Sequence, residues 1–149
     1  MELLLGIDVG TSSCKVAFFQ KDGTVVAAGT GKYPIYHPKP GWAEQSPEDW
    51  WTAVYQTIRS LLDGEHISAS DVKGIGVDGM SWAAVAIDRE GEVLANTPLW
   101  MDTRSGQICA RLREQYGGDT FFKVSGNPLQ PFYTTGKILW YREEMPQMY

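Results

Sequence analysis

The stretch from Leu3 to Gly31 leaves the backbone few options. Leu3 to Asp8 is an apolar run, Gly10 to Ser13 a tight polar turn, and Cys14 to Gln20 a second apolar run. Lys21-Asp22-Gly23 makes the next turn and Val25 to Gly31 a third run. Short apolar runs separated by glycine-containing turns predict consecutive hairpin-connected strands, because such turns reverse the chain with little strain.

Breakers and caps delimit the later elements. Tyr33 to Gln45 holds Pro34, Pro38, Pro40 and Gly41, so it is expected to cross the surface as an extended loop. Ser46 suits an N-cap, Pro47 the first helical position, and Glu48 and Asp49 the positive end of a helix dipole. Trp51, Val54, Tyr55, Ile58, Leu61 and Leu62 then recur at helical spacing. Val72 to Val77 predicts another strand, with Asp78 to Trp82 as its exposed end. Ala83 to Ile87 and Glu92 to Ala95 flank the turn Asp88-Arg89-Glu90-Gly91 as a predicted hairpin. Ser105 to Tyr116, stopping at Gly117-Gly118, and Thr135 to Glu144, stopping before Pro146, read as helices. Strand, strand, strand, helix, strand describes a mixed sheet with flanking helices, in the α/β class.

Composition bounds the partners. The 149 residues, with no internal repeat or domain linker, suit about one domain with one core. The net charge is -5 and the 13 Lys and Arg form no basic run, which disfavours nucleic acid and favours a small ligand. Cys14 and Cys109 form no CxxC pair, which argues against a disulfide framework or structural zinc and makes a reducing cytoplasm the default. Asp8 interrupts the apolar start well short of the ~20 residues that span a bilayer, so neither signal peptide nor anchor is expected. His37 and His66 have no ligand partners at metal spacing. Trp50, Trp51, Trp100 and Trp140 are expected mostly to fill a core.

The chemistry concentrates in Gly6-Ile7-Asp8-Val9-Gly10-Thr11-Ser12-Ser13-Cys14-Lys15. Gly10 lets backbone N–H groups approach phosphate oxygens, and Thr11, Ser12 and Ser13 add hydroxyl donors, as in other anion-binding nests. Asp8 would not touch phosphate but would hold Mg²⁺, through water. The bland alternative is an ordinary hairpin with a polar turn. The stretch is no Walker A loop, lacking GKS or GKT, and no dinucleotide fingerprint, because the turn leads back into a strand.

On these residues the chain resembles the sugar-kinase, Hsp70 and actin superfamily, whose first hairpin carries such a phosphate loop. Within it the chain resembles the FGGY carbohydrate kinases, most of all the xylulokinase branch. Three later stretches in the same order carry that resemblance: Pro40-Gly41-Trp42-Ala43-Glu44-Gln45-Ser46-Pro47-Glu48-Asp49-Trp50-Trp51, Gly74-Ile75-Gly76-Val77, and Leu99-Trp100-Met101-Asp102-Thr103-Arg104. Lys137-Ile138-Leu139-Trp140 looks like the family's K-x-L-W helix. The resemblance implies a ribonuclease H-like fold of the actin, hexokinase and Hsp70 type. It makes residues 1–149 a partial N-terminal, sugar-binding and phosphate-loop domain, without the C-terminal nucleotide lobe.

The resemblance also implies roles. ATP and Mg²⁺ would be held by Asp8, Gly10, Thr11, Ser12, Ser13 and Lys15, and a sugar hydroxyl would be phosphorylated. Asp78-Gly79-Met80-Ser81-Trp82 matches the strand end that serves the sugar, so Ser81 and Trp82 are substrate candidates. Xylulokinases usually have Gly-Gln-Met-His-Gly there and glycerol kinases an Arg-Glu pair, so Trp82 departs from both. Its indole suits stacking on a sugar, and equally suits packing in a hairpin core. Asp102 and Arg104 match W-x-D-x-R and either reach the substrate or pair with each other and cap the helix near Ser105. Phe132 and Tyr133 stand where the family brings an aromatic over the substrate, Phe132 being the substrate candidate.

In the family the catalytic base is an Asp late in the N-terminal domain, and nothing here matches it, so it is expected beyond Tyr149. The chain alone is expected to be inactive. It would be either a truncated gene product or a fragment of a parent of roughly 450 to 550 residues. D-xylulose or a related keto sugar, polyol or sugar acid is the expected substrate, and a homodimeric parent stays open. The rival readings are a non-catalytic nucleotide-binding module of the actin-like kind and a remnant whose incomplete sheet exposes an edge and an apolar face.

Overall fold

A computed structural model describes residues 2–148. Where length suggested one core, the chain divides into two compact units, Met1–Pro34 with Pro47–Met80, and Ile35–Ser46 with Ser81–Tyr149.

The first unit is a sheet with a helix on one face. Strands β1 (Leu3–Val9), β2 (Ser13–Gln20), β3 (Val25–Lys32) and β5 (Val72–Gly79) lie in the order β3-β2-β1-β5. β1 and β2 pair antiparallel, as do β2 and β3, while β5 runs parallel to β1. Pleating decides the faces: Leu3, Leu5, Val16 and Phe18 are buried in one cluster with Ala27 and Ile67. Each strand expected within this unit forms, with ends one or two residues longer than the apolar runs.

Helix α1 (Pro47–Gly64) begins at the expected proline, with Glu48 and Asp49 in its first turn. Its buried stripe is rotated from the expected one. Ala53 and Val54 are buried, with Trp50, Ile58 and Leu61 partly so, whereas Trp51 and Tyr55 are exposed. β3 is the cause. Gly29 and Gly31 bring its backbone so close that a Cβ on Gly31 would meet Thr57 Oγ1 at 2.7 Å, Ala53 O at 2.9 Å and Cys14 Sγ at 3.0 Å. A helix docked that tightly presents Ala53 and Thr57 to the strand, and the bulky Trp51 and Tyr55 fall on its flank.

The far edge of the sheet is open. Ile75 and Val77 are in register with Leu5 and Ile7, hence on the helix face, yet stand 65% and 70% exposed. β5 is an edge strand with an uncovered apolar row.

The second unit joins β4 (Glu44–Gln45) to β6 (Thr97–Pro98), with helices α2 (Gly106–Tyr116), α3 (Gly118–Ser125) and α4 (Thr134–Glu144). The expected hairpin over residues 83–95 is a turn with a single bridge, Ile87 to Val93, and no regular strands. Asp88 Oδ1 accepts from the Glu90 and Glu92 amides, which builds the turn. Beyond it the carbonyls of Ala83, Ala84 and Asn96 accept from the hydroxyls of Thr134 and Tyr141, so side chains of α4 take groups a ladder would have used. α3 is an addition to the expected elements. Gly117, at φ 80°, ends α2 as read, but the next residue starts a new helix that closes at left-handed Gly126.

Gly31→Ala should lower unfolding free energy by about 2 kcal/mol, because two of the three clashing groups belong to or sit against fixed backbone. Urea denaturation of the two chains checks it. Equal midpoints would show that α1 lifts freely off β3.

Candidate functional site

In the first unit the antiparallel register places Asp8 opposite Lys15, and the parallel one places it opposite Asp78. These three share the face away from α1, at the strand ends beside the turn, and line a concavity with Gly6, Ala17 and Gly76. Asp78 Oδ1 accepts from the Gly79 amide at 2.8 Å. The turn itself is tied at its start. Gly10 N donates to Ser13 O at 3.1 Å, and Met80 N to Val9 O at 3.0 Å. A Cβ on Gly10 would lie 3.1 Å from Ser13 O, so the close-backbone geometry of this turn is one glycine accepts most readily.

Tyr33, which sequence did not single out, donates its hydroxyl to Gly10 O at 2.6 Å. Burial first, then the nearby Cys14 and Asp8, push that hydroxyl up to about 12, so it remains protonated at neutral pH.

In the second unit the sequence candidates separate into two groups. Trp82, Phe132 and Tyr133 form an aromatic cluster. Trp82 and Tyr133 meet edge to face with centroids 5.1 Å apart, Phe132 and Tyr133 lie at 4.8 Å, and Trp82 and Phe132 at 6.3 Å. Trp82 stands 47% exposed and holds a left-handed backbone, φ 63°, rare for a bulky residue. Ser81 beside it is exposed. Trp82 and Tyr133 also border a largely apolar cavity of about 690 Å³ with Tyr116, Phe121 and Leu139.

Asp102 and Arg104 form a different structure. Asp102 is fully buried, and its oxygens accept from the Ala43 amide at 2.7 Å, the Arg104 amide at 2.9 Å, and Arg104 Nε and Nη2, each at 2.9 Å. Arg104 Nη2 also donates to Glu44 Oε2 at 2.6 Å. The guanidinium lies over Trp42 at 3.7 Å and Trp140 at 4.9 Å from the ring centroids. Burial works against the Arg104 charge, but hydrogen bonds to Asp102 and Glu44 outweigh it and raise its pKa. The two side chains pair with each other, as one of the two sequence readings expected. Just before α2 the Asp102 carboxylate accepts from the Arg104 amide, while the cap residue Ser105 makes no side-chain cap bond. Trp100, expected in a core, is 43% exposed instead.

Lys137 is fully buried, donating to Phe132 O at 2.6 Å and Pro131 O at 3.4 Å. Burial pulls it down to about 8, against the opposing pull of Asp102 and Cys109. His37 binds Trp42 O from an exposed position, and no cluster of three metal-ligating side chains occurs among the described residues. No helix among them is long and apolar enough to cross a membrane.

The hydroxyl-rich turn after β1, the W-x-D-x-R loop and the K-x-L-W helix thus occupy defined places. The profile of the FGGY family of carbohydrate kinases, N-terminal domain, matches residues 3–149. The chain belongs to the FGGY family. It is 33% identical to xylulose kinase of Bacillus subtilis over 149 residues, covering 100% of this chain and 30% of that protein. Glycerol kinase of Ralstonia nicotianae is 33% identical over 141 residues, 94% of this chain and 28% of that one. Among solved structures, xylulose kinase from Rhodospirillum rubrum superposes with a TM-score of 0.89 at 30% identity, covering 99% of this chain and 30% of that one. Glycerol kinase from Plasmodium falciparum with ADP gives 0.87 at 25%, with the same coverage. The fold is therefore the sugar-kinase one expected, and the chain spans about 30% of the length of the FGGY relatives it matches.

Asp102→Ala should cost about 3 kcal/mol of stability, because it strips a buried guanidinium of the carboxylate that binds two of its nitrogens. Chemical denaturation reads this, and a loss under ~1 kcal/mol would show the pair to be solvated. A second expectation concerns pH. Lys137 has a folded pKa below its ordinary value, so between about pH 8 and 10.5 the unfolded chain binds the extra proton and stability rises with pH. Wild type should therefore gain on Lys137→Met between pH 7 and 9.5 in urea melts. A constant gap would show that Lys137 titrates normally.

Proposed function

We propose that this chain is the phosphate-turn and sugar-side portion of an ATP-dependent carbohydrate kinase. Its parent would phosphorylate a hydroxyl of D-xylulose or a related keto sugar, polyol or sugar acid. The observation that carries the reading is the turn after β1, where a carboxylate at a strand end precedes a hydroxyl-rich hairpin in which a Cβ on Gly10 would fit only tightly against the Ser13 carbonyl.

The residues present fit ATP and Mg²⁺. Asp8 offers hard carboxylate oxygens, which suit Mg²⁺ through its retained waters. The amides of Gly10 to Ser13, the hydroxyls of Thr11, Ser12 and Ser13, and the ammonium of Lys15 suit phosphate oxygens. ATP would supply the phosphoryl group, with Mg²⁺ offsetting its charge. Trp82, with Phe132 and Ser81 near it in sequence or space, offers an aromatic face and small polar groups to a sugar. Asp102 and Arg104 serve this reading by holding the loop that follows β6, their polar atoms being turned to one another. The base that takes the proton of the attacking hydroxyl is assigned to the parent beyond this chain.

Support for the kinase reading comes from xylulose kinase and glycerol kinase relatives and from a glycerol kinase relative crystallised with ADP. The full-length parent, assayed with ATP, Mg²⁺ and a panel of D-xylulose, a polyol and a sugar acid, should consume ATP with one of them, and the 149-residue chain with none. Trp82→Ala in the parent should raise the KM for that sugar about tenfold with kcat little changed. Silence across the panel would sink the reading, and an unchanged KM would remove Trp82 from it.

A further inference from the structure

We infer that Tyr33 is a positioning residue for the phosphate turn, its hydroxyl fixing the Gly10 carbonyl and through it the backbone that would face the anion. The inference rests on the phosphate reading of that turn. Its geometric basis is the register of β2 on β3. Ser13 pairs with Lys32 and Cys14 with Gly31, so the residue directly after β3 emerges beside the turn. That residue is Tyr33. Its ring is buried in one cluster with Cys14, Ala53 and Val54, which gives the side chain a single place to be. From there its hydroxyl reaches Gly10 O at 2.6 Å, a short bond for a neutral pair.

Contacts among the described residues hold the start of the turn. Met80 N binds Val9 O, Gly10 N binds Ser13 O, and Tyr33 binds Gly10 O. The first two belong to strand pairing and to the turn's own closure. Of these the third comes from a side chain, and it acts on a glycine, whose backbone has more freedom to lose than any other residue's. A peptide plane whose carbonyl is held cannot rotate, and the Thr11 amide in the same plane is then held with it. Preorganised amides bind an anion more tightly than amides that must be ordered on binding.

The test uses the 149-residue chain, uniformly ¹⁵N-labelled, titrated with Mg²⁺ and pyrophosphate while the Gly10 to Ser13 amide signals are followed. Tyr33→Phe removes one oxygen and leaves the ring in its cluster. Exposed Tyr55→Phe is the control. The expected result is that the turn amides shift in wild type and control at the same concentrations, while Tyr33→Phe needs about fivefold more pyrophosphate. Its signals elsewhere and its melting temperature should stay near wild type. Binding by Tyr33→Phe as tight as wild type overturns the inference and leaves the phosphate reading standing. No shift in wild type overturns both. Should Tyr33→Phe fail to fold, the wild-type hydroxyl proton of Tyr33 decides. A slowly exchanging signal that persists at saturating pyrophosphate supports the inference, and one lost as the turn amides shift overturns it.

Discussion

Everything in the first unit depends on the parity of the β1–β2 ladder. Leu3 and Leu5 point to the helix with Val16 and Phe18, so Asp8 and Lys15 must point the other way. A one-residue slip would put the carboxylate into the core and the leucines into water, and the apolar cluster forbids it. The same parity gives the turn its place. Because Cys14 faces inward toward Tyr33 and Ala53, the residues just before it are fixed at the strand mouth. The hydrophobic core thus aims a polar turn that it does not itself contain.

Much of this unit was legible because its signals are local. Alternation, two short turns and a Pro-Glu-Asp helix start are read within a few residues of one another, and β1, β2, β3, β5 and α1 all appeared where they were expected. The rotation of α1 was not legible, because Trp51 and Tyr55 fit a helical period as well as Trp50 and Ala53 do. What chose between them was the close approach of Gly29 and Gly31 on another element. Tyr33 escaped notice for the same reason: its role depends on which strand lies beside it.

The second unit was read less well, because its decisive bonds join distant segments. The residues flanking Asp88 have the composition of a hairpin, but Thr134 and Tyr141 capture the carbonyls that a ladder needs. Gly117-Gly118 is a sound terminator, and nothing in it tells that one helix is followed at once by another. The W-x-D-x-R spacing marked Asp102 and Arg104 as important, yet left open whether they face a ligand or each other. The partners that surround them, Glu44, Trp42 and Trp140, are strung along the chain from end to end of the unit. Buried charges are satisfied by whatever the fold brings near, and spacing within a motif does not carry that information.

The chain enters the second unit twice, first for Ile35–Ser46 and again from Ser81 onward. That early excursion has a temporal meaning on the ribosome. Glu44 and Gln45 are made well before Pro98 and Thr97, their pairing partners, and the Ala43 amide before Asp102, 59 positions later. While the intervening sheet and helix are being completed, the Trp42-Ala43-Glu44 segment emerges without the residues that neutralise and cover it. A nascent chain halted before Arg104 would thus present Glu44 without its guanidinium partner and Trp42 without the Arg104 and Trp140 groups that pack on it.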